Sequence, residues 1–392
     1  MDTDVLQPIA NIFLPSFIGV NMRGSPLILT LLLLGASFSG CFGIIETTNN
    51  TNFENSNETL ENTTISENET ADENETTNEN ETANENETAN ENETVNEIEI
   101  YPFSCMGSNE YCYRSYDNFT FAETHNSFAT TEDQVYYPAS NHATGLTAQW
   151  NGGIRAFMLD TYHNDVMGTK NPDPEPTDIV FCHGDANGAV HPCSYSEVDA
   201  FAWLNKLSDF MDDDETQIVT LLLENYVPAE HLEYLFNETG LLERTYIHEI
   251  GDTWPNLGEM ILSKKTLVVF WEAHQGGAPG DAINYPWLHH AWTYSWDTNY
   301  GEQNEEDMDC DVGRGNKNLP VWHLNNWLSN PIGLSDPIRA EDINSYDKLL
   351  ERTLECWEEV GKRPTFIAVD WWDEGDVVDV VNAVNQMENW DD

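Results

Sequence analysis

Eight short runs rich in β-branched, aromatic and leucine side chains punctuate residues 119–372, and several of the gaps between them carry helical spacing. The runs fall at 119–122, 154–160, 179–182, 218–223, 267–271, 291–295, 321–324 and 366–369. Segments such as Thr220-Leu221-Leu222-Leu223 are apolar on both faces, as parallel strands covered by helices must be. Residues 196–211 repeat apolar side chains near every 3.6 positions after Ser194 and Ser196 as caps, and 345–360 do the same before Gly361. The pattern predicts an α/β fold, a (β/α)8 TIM-type barrel made irregular by long non-helical loops at 272–290 and 296–318. Such a barrel gathers its chemistry at the carboxyl ends of the strands.

Three regions divide the chain. Residues 26–38 form an apolar run followed by Ser39-Gly40-Cys41, which reads as a signal peptide over 1–41 with a lipobox-like cleavage site and Cys41 as the lipid-modified residue. The alternative is an uncleaved anchor, for which the run is short against a hydrocarbon core of about 30 Å. Residues 42–100 have no hydrophobic face, and a period-six Glu-Asn-Glu-Thr unit places Asn68, Asn74, Asn80, Asn86 and Asn92 at the head of glycosylation acceptors. This region reads as a disordered, glycosylated stalk. Two further acceptors, Asn118 and Asn237, lie inside the 101–392 domain, which is expected to be a monomer held outside the cell on its membrane.

Charge and cysteine usage narrow the class. The net charge is −55, and the domain alone carries 51 Asp+Glu against 14 Lys+Arg. A basic patch to displace counterions from nucleic acid is missing, so nucleic acid is excluded as a partner. Self-repulsion of this size suits a salt-loving host, the alternative being an ordinary acidic secreted protein. With Cys41 set aside, six cysteines remain, an even number that favours disulfides in an exported domain. Proximity along the chain suggests Cys105 with Cys112, Cys182 with Cys193 and Cys310 with Cys356, among 15 connectivities.

Polar residues stand where the apolar runs end. His125-Asn126 follow the first, Asp160 ends the second, His183-Gly184-Asp185 follow the third, Glu224-Asn225 the fourth and Asp370 the eighth. Two histidines and several carboxylates, with no Gly-x-Ser-x-Gly elbow, point to acid/base work with or without a hard metal rather than to acyl-enzyme chemistry. Trp371, Trp372, Trp287, Trp292 and Trp296 could form an aromatic rim or simply fill the core. His289-His290 with the acidic stretch 302–311 read as a solvated loop in preference to a metal loop.

Five segments carry a resemblance. Thr124-His125-Asn126-Ser127-Phe128, residues 153–160 (Gly-Ile-Arg-Ala-Phe-Met-Leu-Asp), Cys182-His183-Gly184, Leu223-Glu224-Asn225-Tyr226 and residues 364–370 resemble, in order, the X domain of phosphatidylinositol-specific phospholipase C, most closely its secreted plant-type members. The resemblance implies a distorted TIM barrel that cleaves a phosphodiester in a phospholipid or glycolipid head group. It implies His125 as proton acceptor, His183 as the acid for the leaving oxygen and Asp370 as the partner of His125. Calcium-dependent relatives would place their ligands at Asn126, Asp160, Glu224 and residue 158, here Met158, so a Ca2+ site is expected on three oxygen ligands with a thioether in the fourth place. Metal-free relatives would carry an Arg at residue 162, here Tyr162, which is assigned to substrate binding. Arg155 is counted with the substrate-binding residues too, although a buried ion-pair partner is the favoured reading of it. A small-diester hydrolase of the same barrel and an inactive binding module are the alternatives.

Overall fold

The computed structural model describes residues 100–390 except 136–138, 167–168, 185–190, 195, 274–283 and 332. The signal peptide, Cys41, residues 42–99 of the stalk and Asp185 lie outside the described residues.

Eight strands among the described residues are joined by parallel ladders: β1 Phe121–Thr124, β2 Ala156–His163, β3 Val219–Asn225, β4 Leu267–Ala273, β5 Leu288–His290, β6 Ser295–Thr298, β7 Val321–Asn326 and β8 Phe366–Val369. Their order in the sheet is β6-β7-β8-β1-β2-β3-β4-β5. This is the expected α/β barrel topology, open between β5 and β6, which are not paired with each other. Val312–Arg314 runs antiparallel along β6 at that open edge.

Alternation along the strands builds two apolar layers. Phe121, Ala156, Met158, Leu222, Phe270 and Phe366 fill the barrel interior together with Tyr116 and Trp254. Ala122, Phe157, Leu159, Leu221, Leu223 and Val369 face outward into the layer shared with Leu204 and Leu207 of Ala200–Asp213 and Leu349 and Trp357 of Tyr346–Val360. Each fully buried Leu or Phe in these layers contributes roughly 1.5–3 kcal/mol relative to exposure.

Two expected strands are corrected. Ile179–Phe181 is a strand but not a barrel strand, because it pairs antiparallel with Thr161–His163, the overhang of β2 beyond its parallel neighbours. Residues 291–295 are not one strand: Ala291–Tyr294 is a single helical turn between β5 and β6. Aromatic content there marks packing against the interior, not extended backbone. The two expected helices form, at Ala200–Asp213 and Tyr346–Val360; the first is capped by Asp199, whose side chain accepts from Ala202 N–H, and not by either serine, and the second ends at Gly361 with φ 74°.

All three suggested disulfides are present, Cys105–Cys112, Cys182–Cys193 and Cys310–Cys356. The last ties the long loop after β6 to the Tyr346–Val360 helix across a sequence separation of 46. Replacing both Cys310 and Cys356 by Ser should lower unfolding free energy by about 2–4 kcal/mol, since cross-links closing loops of this length restrict the unfolded chain. Denaturant titration followed by tryptophan fluorescence checks this, and an unchanged midpoint would mean the loop is held by other contacts.

Candidate active site

β1 and β8 are paired so that Thr124 lies opposite Val369, which makes the next residue on each strand a neighbour of the other. Those residues are His125 and Asp370. The Nδ1–H of His125 donates to Asp370 Oδ1 at 2.9 Å, and Asn141 Nδ2 donates to the same oxygen at 2.9 Å. Asn344 Nδ2 holds the Asp370 carbonyl at 2.8 Å. Burial alone would raise the Asp370 pKa, but the charge of His125 and its hydrogen bond outweigh that and hold it below the ordinary carboxylate value. An ionised Asp370 fixes the imidazole with Nδ1 protonated, leaving Nε2 as the acceptor on a ring that lines the central cavity. Trp327 stacks flat on this ring, centroids 4.2 Å apart and planes 9° apart. His142 is a support: Nε2–H donates to the His125 carbonyl at 2.8 Å, Nδ1 accepts from Trp372 N–H at 3.5 Å, and burial lowers its pKa, keeping it neutral.

The opposite wall is acidic. Register aligns Asp160, Glu224 and Glu272 across β2, β3 and β4, on the inward side two residues beyond Met158 and Leu222. All three line the cavity with Asn126, which takes a left-handed backbone (φ 51°) tolerated by Asn better than by most residues. The Asp160 carboxyl is pushed well above its usual range, first by burial and then by Glu224 and Glu272. Glu224 accepts from Tyr226 Oη at 2.5 Å.

The other expected residues fall in different places. His183 does not line the cavity beside His125. Its Nδ1–H donates to the Ala139 carbonyl at 3.0 Å, which leaves Nε2 as the working nitrogen. Burial lowers its pKa, and charges on His125 and Asp370 reach it, so the two imidazoles belong to one electrostatic neighbourhood. Tyr162 is corrected from substrate binding: it is buried, stacks on Tyr226 at 4.3 Å and donates its hydroxyl to Gly184 O at 3.0 Å, so it fixes the loop that carries His183. Arg155 is corrected too. It immediately precedes β2 and therefore lies at the amino end of the barrel, where it donates to Gln217 Oε1 at 2.9 Å and to the carbonyls of Trp150 and Ile154, over the Trp150 ring.

Asn126, Asp160 and Glu224 offer the oxygen chemistry of a calcium site. Their arrangement does not complete one: Met158 presents sulfur, and among the described residues no three carboxylate or imidazole groups converge closely enough to hold a metal ion.

The cavity contains groups that the strand-end reading passed over. Glu272 ends the fifth run and obeys the same rule that found Asp160. Arg314, Tyr300 and Trp327 also line it. Arg314 sits in a Gly-Arg-Gly triplet inside a loop with no periodicity, so only the folded chain reveals its direction. Of the tryptophans proposed for a rim, Trp287, Trp296 and Trp371 are buried; His289 is buried in β5, not in a solvated loop, its Nδ1–H donating to Val269 O at 2.9 Å and its Nε2 accepting from His248 N–H at 3.0 Å.

Comparison with known proteins follows the same outline. The PI-PLC X 1 family model matches residues 111–385. An uncharacterized secreted protein of Arthroderma benhamiae is 25% identical over 298 residues, 70% of this chain and 61% of that one. PI-PLC X domain-containing protein 1 of the same fungus is 25% identical over 303 residues, 72% of this chain and 90% of that one. A PI-PLC X domain-containing protein of Arabidopsis thaliana is 23% identical over 288 residues, 69% of this chain and 62% of that one. The chain thus spans less than two thirds of the first and third relatives. A mutant of phosphatidylinositol-specific phospholipase C from Staphylococcus aureus has a TM-score of 0.46 at 13% identity, covering 70% of this chain and 94% of that one. With a family match running from Tyr111 to Asn385 through every strand of the barrel, this chain belongs to the PI-PLC X domain family.

Proposed function

We propose that the protein is a phospholipase C-like phosphodiesterase that cleaves a phospholipid or glycolipid head group by two-histidine acid/base catalysis. The observation that carries this reading is the His125–Asp370 bond of 2.9 Å, which prepares Nε2 of a cavity-lining imidazole to accept a proton. A hydroxyl on the head group, next to the phosphate, loses its proton to His125 Nε2 as its oxygen bonds to phosphorus. The bond from phosphorus to the lipid oxygen breaks, and that oxygen, directed out of the cavity toward the His183 loop, takes a proton from His183. The products are a cyclic phosphodiester and an alcohol; water opens the ring if the two histidines exchange roles. Asp370 moves no proton but stabilises the imidazolium that forms.

We place the domain outside the cell, tethered through Cys41 and the 42–100 stalk. Three disulfides support an oxidising compartment, and one relative is named as secreted. No helix among the described residues is long and apolar enough to cross a membrane.

Two outcomes are expected from assays in high salt on soluble diesters and on inositol lipids. His125→Ala should reduce kcat/KM by about 10²- to 10⁴-fold, the range for a lost general base. His183→Ala should do the same for an alkyl leaving group yet much less for a nitrophenyl one, which departs without protonation. Absence of turnover on every diester, in calcium and in chelator, would instead support a binding module.

The pH profile provides an independent check. His183 must be protonated to act as the acid, and its folded pKa lies below the ordinary 6.5, because burial and the charge of His125 disfavour the imidazolium. The acid form is therefore lost as pH rises through that lowered value. For an alkyl leaving group, kcat/KM should already be falling on the acidic side of 6.5, and the nitrophenyl ester should lack this limb. An alkyl profile flat through this range would remove His183 from the acid role.

A further inference from the structure

We propose that Arg314 is a catalytic residue whose guanidinium binds the non-bridging phosphoryl oxygens and neutralises the charge they gain during displacement. The inference rests on the phosphodiesterase reading above and adds the group that reading lacks. In-line attack needs a cation near phosphorus as well as an acid and a base. The strand-end position at which metal-free relatives would carry an arginine holds Tyr162, whose hydroxyl is committed to Gly184. Among the described residues, Arg314 is the only Lys or Arg lining the cavity with His125.

Its placement is unusually constrained. Nε and Nη2 donate to Asp297 Oδ2 at 3.0 and 2.6 Å, and Nη1 donates to Glu272 Oε1 at 2.9 Å. The guanidinium carbon lies 4.0 Å from the Trp292 ring centroid and 4.4 Å from that of Tyr300. Its own N–H donates to Asp297 Oδ1 at 2.7 Å. The flanking glycines let the segment press onto β6: a Cβ on Gly313 would come within 2.9 Å of the Thr298 carbonyl oxygen, and one on Gly315 (φ +84°) within 2.4 Å of that of Ser295.

A guanidinium has five N–H donors. Three are used by Asp297 and Glu272, so one on Nη1 and one on Nη2 have no acceptor among the described residues. Two fixed donors on a planar fork suit two phosphoryl oxygens. Burial would weaken the cation, but the Glu272 and Asp297 charges more than offset this and keep it protonated. The cradle thus fixes a guanidinium with two unused N–H donors at the wall of the cavity.

The test compares full-length wild type, Arg314→Lys, Arg314→Ala and His125→Ala on a soluble alkyl phosphodiester, each in calcium and in chelator. Near-UV circular dichroism checks folding; if Arg314→Ala does not fold, Arg314→Lys, which keeps the charge, carries the comparison. Wild type should retain its rate in chelator. Arg314→Lys should lose about 10²- to 10³-fold in kcat, the range for a lost transition-state donor, with a smaller change in KM. Guanidinium ion should restore part of the Arg314→Ala rate. Wild type should discriminate between the two phosphorothioate isomers of the diester, and Arg314→Lys should not, a readout that a scaffold defect would leave unmoved. The proposal is overturned if turnover requires calcium and Arg314→Lys matches wild type in its presence, or if isomer preference survives the substitution. Failure of the phosphodiesterase reading has its own signature, no wild-type turnover or an undiminished His125→Ala rate, and would take the Arg314 role down with it.

Discussion

Because every barrel strand is hydrogen-bonded to its neighbours in the same direction, a residue one step beyond its apolar core emerges at the same end as its counterparts on the other strands. The β1–β8 register then brings His125 against Asp370, and the β2–β3–β4 register lines up Asp160, Glu224 and Glu272. Side-chain alternation does the rest. Two residues after an interior Met158 or Leu222, the inward position has left the packed layer and can hold a carboxyl group over a cavity. Parallel pairing therefore supplies both the core and the convergence of polar groups.

That ladder is interrupted once. β5 and β6 do not pair, and the connection between β4 and β6 is made by side chains, Glu272 to Arg314 to Asp297. A guanidinium between two carboxylates and two aromatic rings can span a gap that backbone hydrogen bonds leave open, and the same residue lines the cavity. Other buried arginines are spent differently: Arg155, Arg352 and Arg363 donate to backbone carbonyls, and burial lowers the pKa of each to about 10. In a chain so short of basic residues, what distinguishes Arg314 is the pair of acids that holds its charge.

The two histidines differ in environment as the two halves of an acid/base reaction require. His125 is tied to an ionised carboxylate and lies flat against an indole. His183 is tied to a neutral carbonyl in a buried setting that disfavours a positive charge on the ring. Tyr162 and the Cys182–Cys193 disulfide bracket the His183 loop, so a short antiparallel extension of β2, not a barrel strand, presents the second imidazole.

The sequence by itself determined much of this. Apolar runs marked six of the eight barrel strands, the polar residues after them marked His125, Asp160, Glu224 and Asp370, and cysteine proximity marked the two short-range disulfides and left Cys310 and Cys356 for each other, because strand periodicity, strand-end exposure and short loop closure are local properties. The tertiary structure alone decided the rest. Whether 179–181 joined the barrel or folded back on β2 depended on which partner edge was free. Whether Arg155 or Arg314 faced the cavity depended on chain direction through the barrel, not on residue type. The long loop after β6 has no period to read, and Arg314 obtains its position only when Asp297, Glu272, Trp292 and Tyr300, scattered along the chain, close around it.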